Sequence, residues 1–199
     1  MDESYQNESE INAEEKKERV RMELYDWLQC IVTAIICGVL IFILVGRTIG
    51  VEGRSMIQTL LNSDRVVISN MFYTPGNGDI IVFQSPSEQF EYPLVKRVIA
   101  IENQTVSINF DEGNVYIDGV KEPEFSGITT KKHDFNDPVT VPPGFVFVLG
   151  DNRDSSTDSR DSSIGLVDTR YILGKVIFLL IPGTDEFGNR DWSRLGFVS

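Results

Sequence analysis

The stretch FVFVLGDNRDSSTDSR, from Phe145 to Arg160, joins two kinds of sequence at Gly150. The apolar residues before the glycine predict a buried β-strand. The loop after it is dense in Asp, Ser and Arg, which favour Asx-turns, internal hydrogen bonds and ion pairs. The same texture, short apolar runs separated by Gly, Pro, Asn and Asp, continues through most of the chain beyond residue 50. A domain built in this way is mainly β.

Six further runs predict strands, and they are RVVIS, DIIVFQS, PLVKRVIAI, TVSINF, NVYIDG and KVIFLLIP. The segment FDEGNVYIDG predicts a hairpin with Asp111–Asn114 at its turn. No long amphipathic helix and no internal repeat is predicted beyond residue 50. These patterns together predict a β-rich domain over residues 47–199.

A different kind of segment precedes this domain. Residues 27–46, WLQCIVTAIICGVLIFILVG, carry no charge, and twenty residues of helix span a bilayer core of about 30 Å. A cleaved signal peptide has a shorter apolar region near the N-terminus and a small-residue cleavage site after it, so we predict an uncleaved transmembrane anchor. Residues 1–26 form a polar tail, which we expect to be largely disordered with a helical end. The Lys and Arg residues before the anchor place this tail in the cytoplasm and residues 47–199 outside the membrane.

Composition excludes some functions. The 199 residues carry a net charge of −12 and show no basic patch, so no nucleic-acid partner is expected. The two cysteines, Cys30 and Cys37, both lie in the apolar run about two helical turns apart, which is too far for a disulfide. We expect them to be small apolar fillers of the membrane helix, with no metal ligated there.

Ser55 follows the anchor closely and raises the question of which group takes its proton. A serine hydroxyl is a weak nucleophile without a base. The single histidine, His133, lies in a polar loop and is expected to be a solvated surface residue. Lys96 lies in the middle of an apolar strand, where a lysine either extends to solvent or has a function. Burial lowers the pKa of a lysine, and a neutral amine accepts a serine proton.

The polar loop after Gly150 supplies candidate supports for that base. We predict that Ser156 hydrogen-bonds the Lys96 amine and that Asp158 pairs with Arg160. A carboxylate in direct contact with Lys96 would raise its pKa, so the aspartates should point elsewhere. Calcium binding is the alternative for this loop, although its spacing does not match an EF-hand.

These stretches, in this order behind an N-terminal anchor, resemble the type I signal peptidase family of membrane-anchored Ser/Lys leader peptidases. The chain has GRSMIQTL (53–60) where the family has its serine box, and GNGDIIVF (76–83) is similar to its Gly-Asp strand. VKRVIAI (95–101) resembles its lysine box, and GDNRDSSTDSR (150–160) matches its last box without a gap. The resemblance implies a coiled β-sheet catalytic domain behind one transmembrane helix, with no metal and no cofactor.

The resemblance also implies a role for each matching residue. Ser55 is the expected nucleophile and Lys96 its general base, with Ser156 orienting Lys96 and with Asp158 and Arg160 bracing the site. The backbone N–H of Ser55 is expected to hold the oxyanion. The substrate is expected to bind as an added strand and to be cleaved after small residues. The side chains expected to line its shallow pockets are Val51, Met56, Leu60 and Val95.

The chain departs from the family pattern at three places. Part of the family has an assisting serine where this chain has Gly53, so a second oxyanion donor is not identified. The family's usual proline is replaced by Gln58, and its Gly-x-Pro-Gly-Asp turn is replaced by AIENQ (100–104). We expect any narrowing of substrate specificity to begin at Gln58.

The function that the resemblance implies is a membrane-bound serine endopeptidase that removes signal peptides from exported precursors. Its expected partners are signal-peptide-bearing precursor proteins, the lipid bilayer and the secretion translocon. The alternative is a non-catalytic or narrowly dedicated homologue that binds exported proteins, although retention of both Ser55 and Lys96 counts against it. A soluble, self-cleaving repressor-like Ser/Lys protease is a third hypothesis, which the anchor disfavours.

Overall fold

The computed structural model of the chain describes residues 2–45, 47–122, 128–136, 138–184 and 188–198. Within the first of these ranges, side chains are described for residues 17–40. The chain divides into two compact units, Met1–Leu44 and Val45–Ser199. The two units are therefore considered separately.

The first unit is one long helix, α1, over Asp2–Val45. Its stretch Lys17–Leu40 is long and apolar enough to cross a membrane, with a mean hydropathy of 1.5. Gly46, the last residue of the predicted anchor, lies outside the described residues. The prediction of a largely disordered tail is wrong for the backbone, because the helix already begins at Asp2. Glu, Lys and Arg are strong helix formers, and the tail holds seven Glu, two Lys and two Arg among its 26 residues.

The described residues of the second unit form twelve strands, most of them short. They are β1 Arg47–Gly50, β2 Arg65–Ser69, β3 Ile80–Phe83, β4 Leu94–Ala100, β5 Thr105–Asn109, β6 Asn114–Ile117, β7 Val120–Lys121, β8 Val139–Thr140, β9 Phe145–Leu149, β10 Val167–Asp168, β11 Ile172–Ile181 and β12 Gly196–Phe197. The mainly β fold class is therefore confirmed. All seven predicted strands form, and the predicted hairpin joins β5 to β6 with Asn109 opposite Asn114.

The strands form two antiparallel sheets. The larger runs β1-β2-β11-β3-β4-β9-β10, with β12 paired to β11, and the smaller runs β7-β6-β5-β8. Register shifts interrupt the pairing of β11 with both of its neighbours and the pairing of β4 with β9. Such irregularities bend a strand and increase its local twist, so the larger sheet curls.

Three apolar clusters hold the sheets together. The first lies under β1, β2, β3 and β11, and Leu60 at its centre is fully buried. The second packs the smaller sheet against β9 through Phe135 and Phe147, whose rings meet edge to face with centroids 5.6 Å apart. The third lies around Ile81, Val98 and Val148. Because β4 contributes to all three clusters, the strand that carries Lys96 is buried on both faces.

Candidate active site

Ser55 lies in the loop between β1 and β2, residues 51–64, which we call the serine loop. The base of this loop is closed by hydrogen bonds from the Val51 N–H to the Asp64 carbonyl (2.7 Å) and from the Ser63 N–H to the Val51 carbonyl (2.8 Å). The N–H of Gly53 donates to the side chain of Asn62 across the loop (2.9 Å). Gly53 has a φ of +95°, a conformation that glycine adopts without strain. The loop therefore presents Ser55 from a self-braced turn.

Lys96 lies in the middle of β4 opposite Ile81 of β3, and only 3% of its surface is exposed. Its Nζ lies 2.9 Å from Ser55 Oγ and also donates to the carbonyl of Val95 at 3.0 Å. The two residues that the sequence paired, 41 positions apart, are thus in hydrogen-bond contact. A base must lie within such a distance of the proton that it removes.

Burial also changes the acidity of this lysine. Loss of hydration lowers the pKa of Lys96 to about 8, against the opposing attraction of the Asp158 and Asp151 carboxylates. Neither carboxylate is a hydrogen-bond partner of the amine, as the sequence predicted. A substantial fraction of Lys96 is therefore neutral slightly above neutral pH, and this neutral form is able to accept the Ser55 proton.

The loop after β9, residues 150–160, which we call the support loop, is fixed by a fully buried ion pair. Asp158 accepts hydrogen bonds from the guanidinium of Arg160 at 2.8 and 2.9 Å and from the N–H of Gly150 at 3.1 Å. Arg160 also donates to the carbonyl of Lys131 (2.8 Å) and to that of Arg153 (2.5 Å). The predicted pairing of Asp158 with Arg160 is confirmed, and it holds the support loop in one conformation.

Ser156 lies beside the site but does not make the predicted contact. Lys96 donates to Ser55 and Val95, and Ser156 donates a long hydrogen bond of 3.5 Å to the carbonyl of Thr157. Its side chain packs instead over Gly150, where a Cβ would lie 2.2 Å from Ser156 Oγ. The prediction of a hydrogen bond between Ser156 and Lys96 is therefore wrong for this structure, while an orienting role for Ser156 stays a prediction.

A second buried ion pair, which the sequence did not reveal, joins the site's three segments. Arg97 donates to both oxygens of Asp151, at 2.9 and 2.8 Å, and neither side chain exposes more than 2% of its surface. Thr59 of the serine loop donates to Asp151 at 2.5 Å. A buried arginine requires a buried anion as its partner, so the position of Arg97 in an apolar strand could have predicted a buried ion pair. It did not indicate which of the nearby aspartates would be the partner.

The four expected pocket residues all lie in the first apolar cluster. Leu60 exposes none of its surface, and the others expose between 2% and 7%. Three of them come from the serine loop and one from β4, and they are Val51, Met56, Leu60 and Val95. Contact with a substrate requires neighbouring side chains to move, least for Val95 and most for Leu60. Their pocket role stays a prediction.

Gln58 adopts a backbone conformation that explains one departure of this chain. Its φ is +101°, whereas the proline ring fixes φ near −65°. The serine loop as it stands therefore excludes the proline that the family usually has here. At position 58, this chain therefore differs from the family pattern in the backbone conformation of the loop as well as in the side chain.

Other candidate features lie outside the site. His133 is an exposed residue whose Nδ1 lies 3.5 Å from an oxygen of Asp161, as expected for a surface histidine. A cavity of about 370 Å³ is lined by residues that include Tyr73, Ile101 and Arg170, and by none of the site residues. Among the described residues, no group of three or more His, Cys, Asp or Glu side chains is placed to hold a metal ion.

Comparison with known proteins identifies the family of the chain. Residues 24–181 match the family described as signal peptidase, peptidase S26. The chain is 34% identical over 176 residues to the probable signal peptidase I-1 of Synechocystis, covering 83% of this chain and 84% of that protein. It is 32% identical over 181 residues to the signal peptidase I of Bacillus licheniformis, covering 85% and 95% respectively. The chain is thus a peptidase by its relatives, and it belongs to the signal peptidase family S26.

A solved structure is also similar. The signal peptidase I of Enterococcus faecalis V583 is 30% identical, with a TM-score of 0.43, and the match covers 52% of this chain and 97% of that one.

Proposed function

We propose that this protein is a membrane-anchored serine endopeptidase that removes N-terminal signal peptides from exported precursors, using Ser55 as nucleophile and Lys96 as base. The observation that carries the proposal is the 2.9 Å contact between Ser55 Oγ and the amine of a lysine whose pKa burial lowers to about 8. The family match and the relatives named as signal peptidases support the choice of substrate.

The reaction begins when neutral Lys96 removes the Ser55 hydroxyl proton and Ser55 Oγ attacks the scissile carbonyl carbon. The negative charge that develops on the carbonyl oxygen is held by the Ser55 N–H. The peptide C–N bond then breaks, and the Lys96 ammonium returns the proton to the leaving amine. Water, deprotonated by Lys96, hydrolyses the ester on Ser55 and regenerates both side chains.

The proposed location is supported by the N-terminal helix. The apolar stretch within Lys17–Leu40 supports a membrane anchor, and the basic residues before it favour a cytoplasmic N-terminus with an extracytoplasmic catalytic domain. The tail (1–26), anchor (27–46) and peptidase domain (47–199) form the proposed domain plan. In this plan, the precursor reaches Ser55 with its own apolar segment in the same bilayer. Cleavage after small residues is proposed, with the four buried side chains named above at the floor of the pocket.

The proposal is tested by co-expressing the full chain with a secreted precursor and following the conversion of precursor to mature protein. Wild type and the exposed-lysine control Lys121→Ala should process the precursor, whereas Ser55→Ala and Lys96→Ala should not. Normal processing by Ser55→Ala would exclude this protease mechanism. Loss of processing by the Lys121→Ala control would show that the assay reports expression rather than chemistry.

A further inference from the structure

Besides the hydrogen bond from Thr59 to Asp151, the serine loop and the support loop are joined by Asn152, which has no role in the mechanism proposed above. Its side-chain amide donates to the carbonyl of Arg54 at 3.0 Å, and its backbone N–H donates to the carbonyl of Ser55 at 2.9 Å. One residue therefore binds the carbonyls of two successive peptide groups, on either side of the Ser55 Cα. A peptide group is planar, so binding its oxygen also fixes the direction of its N–H.

The first of these peptide groups contains the N–H that the mechanism uses. The Arg54 carbonyl and the Ser55 N–H belong to the same trans peptide, so they point in opposite directions. With its carbonyl held by Asn152, this peptide directs the Ser55 N–H away from the support loop. No acceptor for that N–H is found among the described residues. The Ser55 N–H thus has a fixed direction and no acceptor among the described residues, as a donor to an oxyanion requires.

The backbone N–H of Gly53, two residues before Ser55, is not available to bind an oxyanion. The N–H of Gly53 already donates to Asn62, and position 53 carries no hydroxyl that could assist. Gly53 therefore adds no donor to the oxyanion in this conformation, and the Ser55 N–H is the donor that the proposed mechanism uses. A hydrogen bond accepted by a carbonyl polarises its own peptide and strengthens the N–H as a donor. The hydrogen bond from the Asn152 side chain to the Arg54 carbonyl therefore strengthens the Ser55 N–H as a donor.

Asn152 is itself held rigidly. The residue before it, Asp151, is locked by Arg97 and Thr59, and the residue after it, Arg153, is buried and paired with Glu122. The carbonyl of Asn152 accepts the N–H of Ser155 at 3.0 Å in the short 3₁₀ turn that follows. Two buried ion pairs therefore flank the residue, so it is a fixed support rather than a mobile surface amide.

We propose that Asn152 is a positioning residue that aligns and polarises the Ser55 N–H as the principal oxyanion donor. The inference rests on the proposed Ser55 and Lys96 mechanism and deepens it. Its distinctive consequence is that Asn152 acts on the oxyanion without touching the base. A variant at position 152 should therefore lose stabilisation of the tetrahedral state while it keeps substrate binding and the ionisation of Lys96.

The test measures cleavage of a precursor peptide by the purified full chain, together with inhibition by a peptide aldehyde of matching sequence. Ser55 Oγ adds to the aldehyde carbon, Lys96 takes the hydroxyl proton, and the aldehyde oxygen becomes the oxyanion. In Asn152→Ala we expect kcat to fall about tenfold with KM within twofold, because about 1.4 kcal/mol of transition-state stabilisation is tenfold in rate. The affinity for the aldehyde should fall by the same factor, and the apparent pKa of kcat/KM should not move.

Two further variants complete the experiment. Asn152→Asp keeps the shape of the side chain but has no N–H to donate at pH 8, so it should lose at least as much activity as Asn152→Ala. The same change at an exposed loop position, Asn136→Asp, should leave kcat and aldehyde affinity unchanged. Thermal unfolding of each variant confirms that it is folded.

Unchanged kcat in Asn152→Ala, or a loss confined to KM with unaltered aldehyde affinity, would overturn the assignment. Ser55→Ala measured in the same assay separates the two hypotheses. An active Ser55→Ala refutes the proposed mechanism as a whole, whereas an inactive Ser55→Ala beside a fully active Asn152→Ala refutes only the role of Asn152.

Discussion

At the residue scale, the proposed mechanism depends on Lys96, because the buried position of its amine sets its protonation state. The amine is desolvated on β4 and is not in contact with any carboxylate, so burial lowers its pKa to about 8. An exposed lysine titrates near 10.4 and is almost fully protonated at pH 8. In the proposed mechanism, this lowered pKa is what allows the Lys96 amine to act as a base.

The first prediction is a pH profile. Because only the neutral amine accepts the Ser55 proton, kcat/KM should fall tenfold per pH unit below the pKa of Lys96, about 8, and should be flat above it. Initial rates on a precursor peptide between pH 5.5 and 10 measure this, in buffers of constant ionic strength. A profile that is level from pH 6 to 9 would contradict the assignment of Lys96 as base.

The second prediction concerns stability. The folded pKa of about 8 lies below the unfolded value, so the unfolded chain binds more protons and the charged amine destabilises the fold. This penalty is present in full below pH 8 and disappears as the pH rises to about 10.5. Lys96→Met should therefore raise the free energy of unfolding by about 2 kcal/mol at pH 7 while it abolishes activity.

Chemical denaturation of the full chain at pH 7 and pH 10 measures this difference. The gain of Lys96→Met over wild type should shrink at the higher pH, and the paired control Lys175→Met, which removes the partner of Asp79, should show no such gain. A Lys96→Met variant that is less stable than wild type at pH 7 would contradict the account.

The third prediction addresses Gln58. Its φ of +101° is a conformation that strains any residue except glycine. Gln58→Gly should therefore stabilise the protein by about 1 kcal/mol, because the strain is relieved. Gln58→Pro should destabilise it, since φ cannot reach the proline value without rebuilding the loop.

Thermal unfolding of the two Gln58 variants, followed by cleavage assays on several precursors, measures both effects. Greater stability of Gln58→Pro than of wild type would show that the loop backbone is not as described. An altered precursor preference in Gln58→Gly would support the prediction that specificity narrows at this position, and an unaltered preference would discard it.

At the scale of elements, the site exists where three segments meet, namely the serine loop, β4 and the support loop. Gly150 is a point of close approach between the support loop and the serine loop. A Cβ there would lie 2.5 Å from the Cβ of Ser156 and 2.6 Å from the carbonyl oxygen of Ser55. Neither atom is the end of a flexible side chain, so both loops would have to shift.

The fourth prediction follows from this contact. Gly150→Ala should reduce kcat/KM at least a hundredfold, because a displacement near 1 Å is enough to misalign Ser55 with Lys96. Gly144→Ala is a suitable comparison, since no atom lies within 4 Å of its Cβ, although its φ of +78° causes strain of its own. Activity of Gly150→Ala close to that of wild type would show that the loops are less tightly packed than the structure has them.

The longer strands could be predicted from the sequence, but the long-range contacts between them could not. Long apolar runs identified every strand of four or more residues except β1, and the missing strands β7, β8, β10 and β12 are two residues long. Such short strands carry no periodicity and form only because a neighbour pairs with them. The pair Asp158–Arg160 is local and was predicted, whereas Arg97–Asp151 spans 54 positions and depends on the topology.

At the scale of the whole chain, residues beyond the family match also brace the site. The match ends at residue 181, yet Arg194 donates to both oxygens of the buried Asp64 at 3.1 and 2.8 Å and to the carbonyl of Thr59 at 3.2 Å. Asp64 also accepts the N–H groups of Leu61 and Gly183. The C-terminal segment is therefore packed against the serine loop, and it contributes to the conformation of that loop.

The central claim is that Ser55 is acylated by the substrate and that Lys96 makes this possible. Its most direct test mixes the purified full chain with an excess of precursor peptide, quenches the reaction in acid within one turnover, and maps acyl groups by mass spectrometry. The account predicts an acyl group on the peptide that contains Ser55 in the wild type and none in Lys96→Ala. An acyl group on a different residue, or equal acylation of Ser55 in Lys96→Ala, would contradict it.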